Sequence, residues 1–135
     1  MDTNEFNQDG MTQYLMDDAE DDYETMMTLF HSKRYHWSLF IGHLMLEKLL
    51  KAYYIKVKNS YPPYIHNLLR LAEKAELELP DETKNQLLTI TAFNINARYD
   101  DYKLSFKKRC TPEFTTHWIQ TILDLKKWIK QQINQ

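Results

Sequence analysis

Cysteine is almost missing from this chain of 135 residues. Cys110 stands alone, which excludes an intramolecular disulfide and a cysteine-built zinc site. Glycine occurs twice and proline four times, too little punctuation for a fold of many short strands. No run of about eighteen apolar residues is free of charge, so no membrane-spanning helix is expected. The opening MDTNEFNQDG is acidic and polar, unlike the basic start and apolar middle of a secretory leader. A cytoplasmic protein without a membrane partner is the expectation. No serine, threonine or cysteine lies in a nucleophile signature and no glycine-rich phosphate loop is present, which weighs against hydrolase and P-loop chemistry.

What the chain does have is helical periodicity. The length allows one core, and leucine, lysine, glutamate, methionine and alanine dominate the periodic segments. Tyr35–Val57 is the most apolar stretch, with Leu39, Leu46, Leu50, Tyr53 and Val57 on one stripe and Trp37, Phe40, Ile41, Leu44 and Met45 widening it beyond one face. Such a helix needs neighbours on several sides. A first helix is expected from a cap at Asp9 or Thr12 to about Phe30, burying Tyr14, Leu15, Tyr23, Met26, Met27 and Phe30. The Pro62-Pro63 pair ends the central helix. A short third helix opens at Ile65 and closes near Glu76, and a fourth runs from Asp81 to about Arg98. Thr111-Pro112-Glu113 is a start signal for the last helix, which carries Phe114, Trp118, Ile119, Ile122, Leu125, Trp128 and Ile129. Tyr99–Cys110, polar and basic, reads as a long functional loop. The fold class is therefore all-α, an up-and-down antiparallel helical bundle of about five helices. Residues 1–10 form a flexible lead-in and 11–135 a single helical domain.

Charge is small in sum and uneven in place. The formal net charge is −2, yet Asp2–Glu24 holds nine acids and no bases, and Lys33–Lys58 holds six bases against Glu47 alone. Lys103, Lys107, Lys108 and Arg109 form a further basic cluster. Opposite fields on different surfaces suit an anionic ligand or a head-to-tail partner, unless the first helix packs beside the second and cancels it.

Three groups bear on chemistry. Lys48, Lys51 and Lys58, with Glu47 beside them, form a candidate exposed row on the central helix. His66 stands just after the proline turn. Ala97-Arg98-Tyr99-Asp100-Asp101-Tyr102-Lys103 closes the fourth helix: Arg98 can grip a phosphate by paired hydrogen bonds, Tyr99 or Tyr102 can stack on a base, and Asp100 or Asp101 can accept from a ribose or base edge. His31, His36 and His43 fit no ligand spacing, and buried, hydrogen-bonded histidines are the expectation there rather than a metal pair. No motif calls for a metal or cofactor.

Glu47-Lys48-Leu49-Leu50-Lys51-Ala52, His66-Asn67-Leu68-Leu69-Arg70-Leu71 and Ala97-Arg98-Tyr99, in this order and separation, resemble the HEPN family, the higher eukaryotes and prokaryotes nucleotide-binding domain. The resemblance implies a helical bundle, commonly a homodimer, that often works beside a nucleotidyltransferase as a toxin–antitoxin pair. Many members are ribonucleases in which four to six residues separate an arginine from a following histidine. In this chain those positions after Arg98 are Lys103, Leu104 and Ser105, and Arg109 and His117 are separated by seven residues across the Thr111-Pro112 start. The general base of such a ribonuclease is missing, and Lys103 is a poor replacement unless its pKa is strongly lowered. The non-nuclease branch often carries proline where Asp100 stands. The resemblance thus implies a binding module for a nucleotide, RNA or similar phosphorylated ligand, with Lys48, Lys51, His66, Arg98, Tyr99 and Asp100 as candidate ligand-binding residues. A nuclease with a non-standard site and a purely regulatory dimeric subunit are the alternatives.

Overall fold

The computed structural model describes residues 6–135, all-helical or loop throughout. Six helices follow in order: α1 (Gln8–His31), α2 (Tyr35–Lys58), α3 (Leu68–Lys74), α4 (Asp81–Asn96), α5 (Asp100–Arg109) and α6 (Pro112–Ile133). The lead-in expected over residues 1–10 lies partly outside the described residues. Within them α1 already begins at Gln8, because the Asn7 side chain, not Asp9 or Thr12, accepts the Gly10 N–H at 3.0 Å.

The central position expected for Tyr35–Val57 is what the packing gives: α2 touches each of the other five helices. Twelve of its residues are buried, so it has almost no solvent face. Gly42 marks where its neighbours come closest, since a Cβ there would meet Ile122 Cδ1 of α6 at 2.8 Å and the Met26 sulfur of α1 at 3.1 Å. On α1, Met26 is buried and Leu15, Tyr23, Met27 and Phe30 pack against the core, whereas Tyr14 is exposed, contrary to expectation.

Two further expectations need correction. Tyr99–Cys110 is not a long loop; it holds α5. Its pattern gave no stripe because Phe106 is the one buried residue of that helix. Asp100 and Asp101 in its first turn and Lys107, Lys108 and Arg109 in its last match the helix dipole instead. Phe106 seats the helix by packing on Phe93, whose ring also meets Trp118 and Phe114 of α6, with centroids 5.3, 5.5 and 6.3 Å away. Among the described residues the bundle therefore has six helices, one more than the expected count of about five.

The lysine row of α2 is not a free edge either. Lys48 reaches Asp18 at 2.8 Å and Asp22 at 2.7 Å on α1, Lys58 reaches Glu76 at 3.0 Å, and Lys51 pairs with Glu47. With Glu20, which meets Lys126 and Lys130 of α6, the two Lys48 pairs set three of the seven acids of α1, Asp18, Glu20 and Asp22, against cations of α2 and α6. Burial raises the Asp22 carboxyl above its usual range despite Lys48. Burial alone would lower the Lys48 ammonium, but the hydrogen bonds it donates to Asp18 and Asp22, with the attraction of their charges, outweigh it and raise it.

Candidate functional site

His43, Glu47 and Lys51 succeed one another at four-residue spacing and so share one face of α2. Glu47 is the hub. Its carboxylate, 9% exposed, accepts from Lys51 Nζ at 2.9 Å through one oxygen and from His66 Nδ1 at 3.0 Å through the other. The second bond fixes the imidazole, leaving His66 Nε2 without a partner among the described residues on a side chain that is 52% exposed. A carboxylate that orients a histidine and leaves its distal nitrogen open is the arrangement of a proton acceptor or a hydrogen-bonding ligand grip.

The segment carrying His66 is pinned three times. His43 Nε2 donates to the His66 carbonyl at 2.9 Å, Glu47 holds the ring, and the Leu68 N–H donates to Thr91 Oγ1 at 3.0 Å from α4. Asn67 then caps α3 by accepting the Arg70 N–H at 3.1 Å. Tyr64, 89% exposed, stands over this cluster with its ring 5.3 Å from His66 and 5.8 Å from the Lys51 ammonium.

Because a carbonyl can only accept, His43 carries its proton on Nε2, and its Nδ1 is buried without a hydrogen bond among the described residues. Burial pushes this imidazole below its ordinary value of 6.5, against the pull of the His66 carbonyl and Glu47 and with the help of the His66 and Arg98 charges. The unfolded chain therefore binds a proton that the folded chain refuses, and stability falls as pH drops below about 6.5, by at most about 1.4 kcal/mol per pH unit. His43→Asn should weaken that slope in urea unfolding between pH 7.5 and 5. Comparison with the variant is needed because His36 is lowered too, chiefly by burial, and Asp22 acts with the opposite sign.

Arg98 forms the other end of the site. Its Nε donates to the Asn94 carbonyl at 3.0 Å, and its guanidinium lies over Phe40 and Tyr99, 5.5 and 5.6 Å from the ring centres. Held on that side, its terminal nitrogens stay available on an exposed residue. Tyr99 is 55% exposed and serves as the N-cap of α5. Phe40 and Lys51 lie eleven positions apart on α2, about 16 Å of helix at 1.5 Å per residue. A single phosphate cannot span that distance; an elongated ligand can.

Of the residues proposed from sequence, the fold thus joins Lys51 to His66 and places Arg98 and Tyr99 farther along α2. Lys48 is turned toward α1 and occupied by its two carboxylates. Asp100 sits in the first turn of α5, where its charge stabilises the helix. Sequence reasoning passed over His43, Phe40 and Tyr64 as parts of the site and treated Glu47 as an edge residue. The spacing of His43, Glu47 and Lys51 was the signal that could have found the hub. His31, His36 and His43 occupy three different environments, an exposed helix end, a cleft and the core, and no cluster of metal-ligating side chains occurs among the described residues. Likewise, no helix of the described residues is long and apolar enough to cross a membrane.

The HEPN domain family model matches residues 12–132. Neither the curated proteins nor the solved structures contain a significant match. The family's span takes in α2 with Glu47 and Lys51, the His66 segment and the Arg98-Tyr99 turn, so the three motifs lie inside one matched domain. This six-helix chain belongs to the HEPN domain family.

Proposed function

We propose that the face of α2 between Phe40 and Lys51 binds an elongated phosphorylated ligand, a nucleotide or a short stretch of RNA. The carrying observation is the fixed placement of cationic and imidazole donors by their neighbours: the buried Glu47 holds Lys51 and His66, and the Asn94 carbonyl with the rings of Phe40 and Tyr99 holds Arg98. Arg98 takes phosphate through its terminal nitrogens, Tyr99 and Tyr64 offer rings on which bases stack, and His66 Nε2 donates or accepts at the far end. In this proposal Lys48 and Asp100 support the site, the first by clamping α1 to α2 and the second by stabilising α5. A homodimer and work beside a nucleotidyltransferase, within a toxin–antitoxin pair in the cytoplasm, belong to the same proposal; the exposed Leu88 and Ile95 on α4 offer a surface for a second copy.

A second function rests on the Glu47–His66 dyad, which has the form of a general base on the α2 face whose other end carries Arg98. A labelled short RNA separates the two. For a binding module it is retained and stays intact. Cleavage that disappears in His66→Ala would replace the module with a nuclease of non-standard site.

A further inference from the structure

At the end of α2 away from Lys51, a cleft of about 390 Å³ opens between the α1–α2 turn and the last turn of α5, lined by Ser32, Lys33, Arg34, His36, Lys107 and Cys110 among others. Its floor is the bare start of α2. Arg34 is the N-cap and provides no side-chain acceptor, no acid stands in the first turn, and the first backbone bond runs from the Ser38 N–H to the Arg34 carbonyl. The N–H groups of Tyr35, His36 and Trp37 therefore have no protein acceptor among the described residues. The turn is held in a fixed shape by Lys33 in the left-handed region, φ 64°, with the Arg34 N–H on the Leu29 carbonyl at 2.8 Å and the Lys33 N–H on the Phe30 carbonyl at 3.0 Å.

A second, independent feature points into the same space. His36 is only 7% exposed, has no hydrogen-bond partner among the described residues, and is one of the residues that line the cleft. The charged groups acting on it are Arg34 from the turn and Lys103 and Lys107 from α5, all cations; with burial as the main cause, they hold its pKa below 6.5. Cys110 adds no negative charge, since burial, outweighing Arg109, raises its thiol to about 11. Lys33, Arg34 and Lys107 meet no carboxylate within ion-pair distance among the described residues. Unsatisfied N–H groups at a positive helix end, three unpaired cations and a buried, unpartnered imidazole share one need, a multivalent oxyanion.

We propose that this cleft is a phosphate site, distinct from the Glu47–His66–Arg98 face, that takes either the phosphate of a mononucleotide or a phosphate of RNA. The α2 N–H groups and Lys33 and Lys107 receive the oxygens, and His36 takes up a proton as the phosphate arrives. The experiment is NMR of the full chain, following the His36 ring titration and the Tyr35–Trp37 amides with inorganic phosphate, AMP, and a short RNA with or without a 5′-phosphate. Each effective ligand should raise the His36 midpoint and shift those amides. Lys107→Glu, at an exposed position, should weaken binding by about tenfold, the factor for one charge-assisted hydrogen bond, and Arg98→Ala should leave it unchanged. Response to phosphate and AMP assigns the site to small phosphorylated molecules. Response to RNA alone assigns it to the phosphates of the polymer, and dependence on the 5′-phosphate assigns it to the chain end. A His36 midpoint that no ligand moves, or binding that is unaffected by Lys107→Glu, overturns the proposal. Loss of response at His66 and Arg98 with the His36 response intact would count against the α2-face function alone.

Discussion

Glu47→Ala is expected to lower the unfolding free energy by about 3 kcal/mol, the low end of the range for breaking a buried ion pair. The lower figure applies because Lys51 and His66, its partners at 2.9 and 3.0 Å, are not fully enclosed and can turn toward water. The same change should also free the His66 ring, since among the described residues the bond to Glu47 is the one side-chain hydrogen bond that orients it. Urea unfolding measures the first effect and the ring-nitrogen shifts of His66 the second. Glu47→Gln, which keeps an acceptor for His66, should cost less and leave the ring oriented. A loss below about 1 kcal/mol for the alanine variant would place Glu47 among ordinary surface pairs and remove the hub from the site.

Phe93→Ala should cost about 4 kcal/mol, as deletion of a fully buried phenyl ring does. Phe93 is 1% exposed and is the common neighbour of Phe106, Phe114 and Trp118. Its loss falls hardest on α5, where Phe106 is the one buried residue. Hydrogen exchange in this variant should therefore quicken in α5 before α2 or α6. Phe93→Leu, closer in volume, should cost less than about 1.5 kcal/mol. Uniform loss of protection in all helices would show that α5 is held by something other than this aromatic cluster.

Legibility in the sequence followed the strength of each local signal. α2 and α6 were plain because their apolar residues recur at helical spacing, and the start of α6 was plain because Thr111 caps it by accepting the Phe114 N–H at 3.2 Å, with Pro112 at the first helical position. α5 was invisible because one buried side chain makes no period; tertiary packing by Phe93 and charge placement at its two ends supply what pattern does not. At the site, the motifs identified the right segments and could not say which way each lysine turns. Lys48 and Lys51 are three positions apart on one helix, yet the acids of α1 draw one away and Glu47 holds the other beside His66. That division depends on which helices lie on either side of α2, a long-range fact. The aromatic support for Arg98 likewise comes from Phe40, distant in sequence and adjacent only after folding.

The central claim is that one face of α2 binds a phosphorylated ligand through Arg98. Calorimetric titration of the purified chain with ATP, GTP and a short RNA, beside Arg98→Ala, tests it most directly. Saturable binding of at least one ligand by the wild type, with a component weakened about tenfold or more in the variant beside the Arg98-independent binding at the α2 N-terminal cleft and without RNA cleavage, is the predicted result. No heat with any ligand, or equal affinity in the two proteins, would contradict it and leave an interaction subunit as the function of this bundle.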